Sequence, residues 1–196
     1  MSYIPTYPSP LAGYTNAPPL PDERNEDGKS YKNPPREGRS EAYDRFVEPL
    51  DNGRRGGFDV HIYYYQNNKE QTEYAHQLWE RIRREFQSPN SASTPSGTAP
   101  SAPHPVAMFE VNLFTPAQFG AFIAWLAVWR GPLSALVHPN TVLTADERAA
   151  GVDEMEVEKR DHSERAIWMG ERIPLDFALF NDAILRRRRN QQQQQQ

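Results

Sequence analysis

Strand-like and helix-like hydrophobic patterns alternate between residues 58 and 185, and this alternation limits the chain to few folds. The first stretch, FDVHIYYY at residues 58–65, is dense in β-branched and aromatic side chains, which predicts a strand. Its period of two assigns the side chains to two faces: Val60, Ile62 and Tyr64 on one, and Asp59, His61, Tyr63 and Tyr65 on the other. Apolar residues at helical spacing follow over 75–86 and predict a helix.

The alternation continues to the end of this region. Thr115-Pro116-Ala117-Gln118 resembles a capping box and predicts the start of a helix that is apolar on nearly all sides and ends at Gly131-Pro132. The other predicted elements are strands at 106–114, 133–138 and 166–170, a polar loop with a helical turn at 142–163, and an amphipathic segment at 175–185. This order predicts an α+β fold, a ferredoxin-like sandwich whose four-stranded sheet carries two helices on one face. The second face is then free for a functional surface or an interface.

Both ends of the chain differ from this region in composition. Residues 1–57 contain nine prolines and six glycines and few aliphatic side chains, which predicts a mostly extended or disordered arm. Within this arm, residues 43–50 (YDRFVEPL) could dock on the body. Residues 186–196 are four arginines, an asparagine and six glutamines, which predicts an unstructured basic and poly-Gln tail. The remaining body, residues 58–185, carries a formal charge of −7. An acidic body repels phosphate backbones, so we expect no nucleic-acid partner for it.

The residue types also exclude several classes of site. The chain has no cysteine, which excludes disulfides, thiolate nucleophiles and Cys-based metal sites. No apolar run reaches the length of a membrane span, and the first twenty residues do not resemble a secretory signal. We therefore expect a cytoplasmic protein without a membrane partner. Neither a nucleophile-elbow motif nor a glycine-rich phosphate loop is present.

Four of the five histidines lie at the predicted strands. His61 is inside the first strand, His104 precedes the second, His138 ends the third and His162 precedes the fourth, whereas His76 is on the polar side of a helix. If the four converge, neutral imidazoles can bind Fe(II), Zn or Cu, and Glu110 is a candidate carboxylate ligand. A remaining histidine can act as an acid or base. The alternative is a set of half-buried histidines bonded to backbone, and their spacing alone does not decide between the two.

Four blocks of this sequence lie between about residue 58 and residue 177: FDVHIYYY, PHPVAMFEV, FGAFIAWLAVWRGPLSALVHPNT and DHSERAIWMGERIPLDF. Together, and in this order, they resemble the DOPA 4,5-dioxygenase family. The resemblance implies a non-haem iron enzyme that uses O₂ to open the ring of a catechol, typically L-DOPA, in the extradiol manner. It also implies that the seco-DOPA product cyclises to betalamic acid or related pigment precursors.

The resemblance implies functions for individual residues of this sequence. His61, His104, His138 and His162 match histidines of the family, and His76 does not. A catechol and O₂ leave only about three positions on Fe(II) for the protein. The expected assignment is therefore as follows: His61, His104 and His138 as metal ligands, His162 as the catalytic acid or base, and Tyr63, Glu110 and Asn140 in contact with substrate. Glu110 could replace one histidine ligand, and Zn or another divalent ion could replace iron in a crystal.

One departure from the family pattern leaves an alternative open. The segment between HPNT and DHS, residues 142–161, is longer than the family pattern suggests. Because this insertion lies beside His162, the chain could be a non-catalytic metal- or ligand-binding homologue with a diverged pocket. A third hypothesis is an assembly protein that binds partners through its two terminal segments. The apolar helix after residue 115 further predicts a homodimer or larger homo-oligomer.

Overall fold

The computed structural model describes residues 9–35, 38–51, 53, 55–86 and 103–194. The chain divides into two compact units, residues 1–40 and 41–196. In the first unit an antiparallel bridge joins Arg24 and Tyr31 around a turn. The second unit begins at residue 41, and in its first segment Phe46 is buried and packs on Phe58 with ring centroids 5.5 Å apart.

The second unit is built on a four-stranded antiparallel sheet with the strand order β2-β1-β3-β4. The strands are β1 (Phe58–Tyr64), β2 (Ala107–Leu113), β3 (Ser134–Pro139) and β4 (Ile167–Met169). The helices are α1 (Lys69–Glu85), α2 (Pro116–Trp129), α3 (Ala145–Ala149), α4 (Glu154–Asp161) and α5 (Ala178–Gln194). The predicted α+β architecture with a four-stranded sheet is confirmed.

Helices α1 and α2 cover one face of this sheet, as the sequence predicts. Their buried side chains and the alternate residues of the strands form the main core: Val60, Ile62, Ala75, Leu78, Ile82, Phe109, Phe122 and Leu126 are among its members. Thr115 accepts a hydrogen bond from the Gln118 N–H and caps α2, which confirms the predicted start of that helix. The even-numbered residues of β1 are thereby committed to the core, and the odd-numbered ones face the other side.

Residues 142–163 fold into two short helices rather than a loop with one helical turn. Thr144 and Glu147 form a complete capping box at α3, and Asp153 caps α4. Both helices are polar and short, at five and eight residues, so hydrophobic periodicity cannot reveal them, whereas the capping residues can. They bring His162, the residue after α4, to the sheet face opposite α1 and α2.

Helix α5 follows β4 and packs on α4, and its side chains Phe180 and Ile184 are buried. The helix continues through the four arginines into the glutamine run as far as Gln194. The sequence QSPNSASTPSGTAPSAP at residues 87–103 predicts a flexible loop between α1 and β2, and this segment lies almost wholly outside the described residues. Among the described residues, no helix is long and apolar enough to cross a lipid bilayer.

Candidate metal centre

Two neighbouring strands and one helix end bring three histidines together. His61 and His138 lie on the same sheet face because β1 and β3 pair in a register that puts Asp59 opposite His138 and His61 opposite Leu136. His162 caps the C-terminus of α4. One ring nitrogen from each of the three histidines lies within 4.8 Å of the others, and all three side chains are buried.

The spacing of these nitrogens fits a shared metal ion. The Nε2 atoms of His61 and His138 are 2.9 Å apart, and the ring centroids of His138 and His162 are 3.9 Å apart. Two imidazole nitrogens that bind one ion at about 2.1 Å with a right angle between them are about 3.0 Å apart. The observed separation of the Nε2 atoms therefore suits adjacent ligands of one ion.

Backbone carbonyl groups fix the tautomers of two of these rings. His138 Nδ1 lies 2.9 Å from the carbonyl oxygen of Pro139, and His162 Nδ1 lies 2.9 Å from that of Glu158. A carbonyl oxygen can only accept, so each Nδ1 carries the proton and donates it. The Nε2 atoms of both rings consequently keep a lone pair for a metal ion.

The ring of His61 is held differently. Its Nδ1 is buried, has no hydrogen-bond partner among the described residues, and lies 3.6 Å from Glu110 Oε2. A metal ion at Nε2 would place the proton on Nδ1, toward this carboxylate, as in other carboxylate–histidine–metal arrangements. Glu110 thus lies behind the ring of His61 and outside the group of three nitrogens.

Burial keeps the histidines of the site neutral. Desolvation lowers the pKa values of His61 and His138 well below the usual 6.5, and the neighbouring imidazoles lower them further. Burial also lowers the pKa of His162, although the carbonyl and carboxylate of Glu158 oppose this shift. Since metal ions bind only the neutral imidazole, these three rings are in the correct state for binding at neutral pH.

His104 lies beside this group but has a different partner. Its Nδ1 is 2.8 Å from the hydroxyl of Tyr63, and its ring centroid is 4.4 Å from that of His61. Tyr63 in turn stacks on Trp168, with ring centroids 5.7 Å apart. Burial and the nearby His162 lower the pKa of His104 to about 4. His104 is therefore a neutral imidazole that is held by Tyr63 and is not committed to the three-nitrogen group.

A polar network supports the centre from the β2 side. Asp59 is buried, and the Asn112 amide donates to both Asp59 Oδ1 and Glu110 Oε1 at 2.7 Å. Burial and the charge of Glu110 raise the pKa of Asp59 to about 7. Asn140 is also buried, and its amide donates to the Gly56 carbonyl oxygen at 3.2 Å.

The loop before β1 is joined to α4 by one arginine. Arg55 donates to both carboxylate oxygens of Glu158 at 2.9 and 3.0 Å and to Asn140 Oδ1 at 3.2 Å. Asn140 thus connects two segments of the site.

A cavity of about 300 Å³ opens beside His162. Six residues line it: His162, Trp168, Arg172, Pro174, Leu175 and Phe177. A volume at the lower end of the range for ligand sites suits a ligand with one aromatic ring. Its walls are mostly aromatic or aliphatic, and His162 is the member of the histidine group that lines it.

The structure brings the four predicted histidines together. The three residues expected to contact substrate, Tyr63, Glu110 and Asn140, lie at different places around them. Tyr63 contacts His104, Glu110 lies behind His61, and Asn140 is used in the polar network and does not line the cavity. His76 is exposed on α1, as expected.

Sequence reasoning missed five of the six described residues that line the cavity. They are Trp168, Arg172, Pro174, Leu175 and Phe177, and all lie in the last of the four resemblance blocks, where helical or strand periodicity does not single them out. The signal that could have found them is their position shortly after His162 in the same block.

Residues 58–179 match the sequence model of the Dopa 4,5-dioxygenase family. A DOPA 4,5-dioxygenase from Amanita muscaria is 33% identical over 122 residues, which cover 60% of this chain and 46% of that protein. An uncharacterized 21.2 kDa protein from Botryotinia fuckeliana is 60% identical over 174 residues, which cover 89% of this chain and 90% of that protein.

The fold also resembles a solved structure. A crystal structure described as a "putative dioxygenase" from Nostoc punctiforme aligns with a TM-score of 0.50 and 26% identity. The alignment covers 66% of this chain and 93% of the Nostoc chain. The similarity to this bacterial protein extends over nearly all of its length.

Proposed function

This chain belongs to the Dopa 4,5-dioxygenase family, and we propose that it is a non-haem Fe(II) dioxygenase that opens catechol rings in the extradiol manner. L-DOPA is the proposed type of substrate, with 4,5-cleavage to seco-DOPA, a precursor of betalamic acid-type pigments. We also propose the cytoplasm as its location. The observation that carries the proposal is the group of three buried imidazole nitrogens within 4.8 Å, next to an aromatic cavity.

The geometry favours one change in the roles expected of the histidines. We propose His61, His138 and His162 as the metal ligands, because their nitrogens form the group and two of them have the required tautomer. His104, expected as a ligand, then takes the role of acid or base that the sequence suggested for His162. Three protein ligands leave positions for a bidentate catechol and O₂.

Bound Fe(II) would supply the redox chemistry with O₂, and both oxygen atoms would enter the ring-opened product without an external reductant. The residues of this chain do the rest. His104 is neutral and can accept a proton from a catechol hydroxyl, and Tyr63 fixes the orientation of its ring. Trp168, Leu175 and Phe177 bind the substrate ring and exclude water.

Two residues expected to contact substrate receive supporting roles. We propose that Glu110 stabilises the Nδ1–H of His61 through its charge at 3.6 Å. Asn140 would hold the segment after His138 against the loop before β1 through Gly56 and Arg55. Tyr63 would lie beside the substrate, as expected, because its hydroxyl contacts the proposed acid or base His104.

The test is oxygen uptake by protein loaded with Fe(II) without air and then mixed with aerated L-DOPA or simpler catechols. We expect O₂ consumption and a yellow ring-opened product, lost in His104→Gln and retained in His76→Gln, a matched change at an exposed histidine. Absence of O₂ uptake with every catechol contradicts the proposal.

The insertion at 142–161 supports a second candidate, a metal-binding homologue without turnover. This segment forms α3 and α4 and supplies Glu158, which contacts both His162 and Arg55. Retained metal in a protein that consumes no O₂ would favour this second function.

A further inference from the structure

Among the described residues that line the cavity beside His162, one is permanently charged. Four of the six are apolar or aromatic, one is the buried His162, and one is Arg172. None of these six described residues is acidic. A ligand there meets the imidazole of His162 and the guanidinium group of Arg172.

Arg172 is available for a ligand. The side chain is exposed, and no described residue forms a hydrogen bond or ion pair with its guanidinium group. Other arginines near the site are committed, since Arg55 pairs with Glu158 and Arg165 pairs with Asp161. Among the described residues, Arg172 is therefore the charged group of the cavity whose donors have no partner.

The backbone around Arg172 turns its side chain into the cavity. Gly170 has a φ of +77°, a conformation that favours glycine, and the next residues alternate between two cavities. Arg172 and Pro174 line the cavity of the histidines, whereas Glu171 and Ile173 line a separate cavity of about 160 Å³ beside Tyr63. This alternation keeps the acidic neighbour Glu171 away from the ligand of Arg172.

We propose that Arg172 binds a carboxylate on the side chain of the substrate, so that the protein selects catechols whose side chain carries a carboxylate over catechols whose side chain carries none. This inference rests on the proposed function of the same cavity. A guanidinium group presents two parallel N–H donors that match a carboxylate. The body has a formal charge of −7, so a local positive group offsets the repulsion that a carboxylate ligand meets from the rest of the body.

The two ends of the cavity would then bind the two ends of one molecule. The hydroxyls of the catechol lie toward the histidines, the ring packs against Trp168 and Phe177, and the carboxylate reaches Arg172. An ammonium group at that position is repelled by Arg172, and an ester gains no charged hydrogen bond. The side-chain carboxylate therefore contributes binding that a neutral analogue lacks.

Titration calorimetry on Fe(II)-loaded protein without oxygen tests this directly. The ligands are 3,4-dihydroxyphenylpropionic acid and its methyl ester, which share the ring and differ in charge. Loss of a charged hydrogen-bond pair weakens binding by roughly tenfold to a hundredfold. We expect the wild type to bind the acid at least about tenfold more tightly than the ester. Arg172→Gln should abolish this preference and leave the affinity for the ester within about twofold.

Two further variants sharpen the experiment. Arg172→Lys keeps the charge without the two parallel donors and should retain part of the preference. Arg148→Gln makes the same change of net charge at an exposed arginine on α3 outside the cavity, and should retain all of it. Equal binding of acid and ester by the wild type, no binding of either, or an unchanged preference in Arg172→Gln overturns the inference.

These results are separable from those for the proposed function, because no oxygen is present during the titration. If no catechol is ever opened but the Arg172-dependent preference is found, the function fails and the inference stands. If acid and ester are opened with the same KM by both wild type and Arg172→Gln, the function stands and the inference fails.

Discussion

The carboxylate of Asp161 accepts a hydrogen bond from the backbone N–H of Thr141 at 2.8 Å and another from its hydroxyl at 2.9 Å. Asp161 is buried, and Arg165 donates to it at 2.8 Å. Thr141 follows His138 by three residues, and Asp161 directly precedes His162. This contact joins the end of β3 to the end of α4 and thereby fixes the distance between two proposed metal ligands.

Replacement of Asp161 by Asn should weaken metal binding without removing a ligand. The amide cannot accept all the hydrogen bonds that the carboxylate accepts, so the segments before His162 and after His138 lose their alignment. Residues that orient metal ligands typically affect affinity by about 10- to 100-fold. Competition with a chromophoric chelator measures this change. Asp182→Asn, at an exposed position on α5, is the control, and equal affinities for both variants would contradict the prediction.

The metal content of single histidine variants tests whether the third metal ligand, beside His61 and His138, is His162 as proposed or His104 as expected from the sequence. We expect His61→Ala, His138→Ala and His162→Ala to lose bound iron, because each removes one nitrogen of the group. His104→Ala should retain it at wild-type stoichiometry, as should His76→Ala on the surface of α1. Iron is measured after gel filtration. If His104→Ala loses the metal and His162→Ala keeps it, the original expectation is correct and the proposed exchange of roles is wrong.

The stability of the metal-free protein should depend on pH through His104. Its pKa is lowered from 6.5 to about 4 in the folded state, so the unfolded chain binds a proton at a higher pH than the folded chain does. Above pH 6.5 His104 is neutral in both states and costs no free energy of unfolding. As the pH falls from 6.5 toward 4, protonation of the unfolded chain lowers the free energy of unfolding. Between pH 7 and pH 5 this linkage removes about 2 kcal/mol from the free energy of unfolding.

Protonation of Asp59 changes the free energy of unfolding in the opposite direction between pH 7 and pH 5. Burial raises its pKa to about 7, so the folded chain binds this proton at a higher pH than the unfolded chain does. The measurement is therefore a comparison of urea unfolding at pH 7 and pH 5 between wild type and His104→Gln. The wild type should lose about 2 kcal/mol more than the variant. An identical pH dependence in the two proteins would show that His104 is protonated equally in the folded and unfolded chains.

A homodimer or larger homo-oligomer stays a prediction from the apolar character of α2. In the structure Val128 and Trp129 at the end of this helix are 72% and 46% exposed. We expect light scattering at micromolar concentration to give at least twice the mass of the chain, and Val128→Lys to reduce it. Leu179→Lys, at an exposed leucine on α5, is the control. A monomeric wild type would contradict the prediction.

The sequence predicts the sheet, its core face and the positions of α1 and α2. Apolar side chains that recur every two residues in a strand, or every 3.6 residues in a helix, mark the buried face directly. Val60 and Ile62 are fully buried under the helices, and His61 lies on the other face, as the alternation requires. Short polar helices carry no such signal. For that reason α3 and α4 were expected as a loop, although Thr144, Glu147 and Asp153 mark their starts.

The four histidines could be selected from the sequence, but their roles could not be assigned. Which nitrogens meet depends on the rotation of each ring, and this is set by partners distant in sequence or on the main chain, such as Tyr63 for His104 and the Glu158 carbonyl oxygen for His162. The same holds for Arg172, whose significance depends on a cavity that only the folded chain creates.

Main-chain carbonyl oxygens, at Pro139 and Glu158, hold the rings of His138 and His162. Every residue has such an oxygen, so point mutations of these neighbours leave the two hydrogen bonds chemically possible. The cavity, in contrast, is lined by side chains that can be exchanged one at a time. During divergence, this arrangement allows the lining of the cavity to change while the group of buried histidines persists.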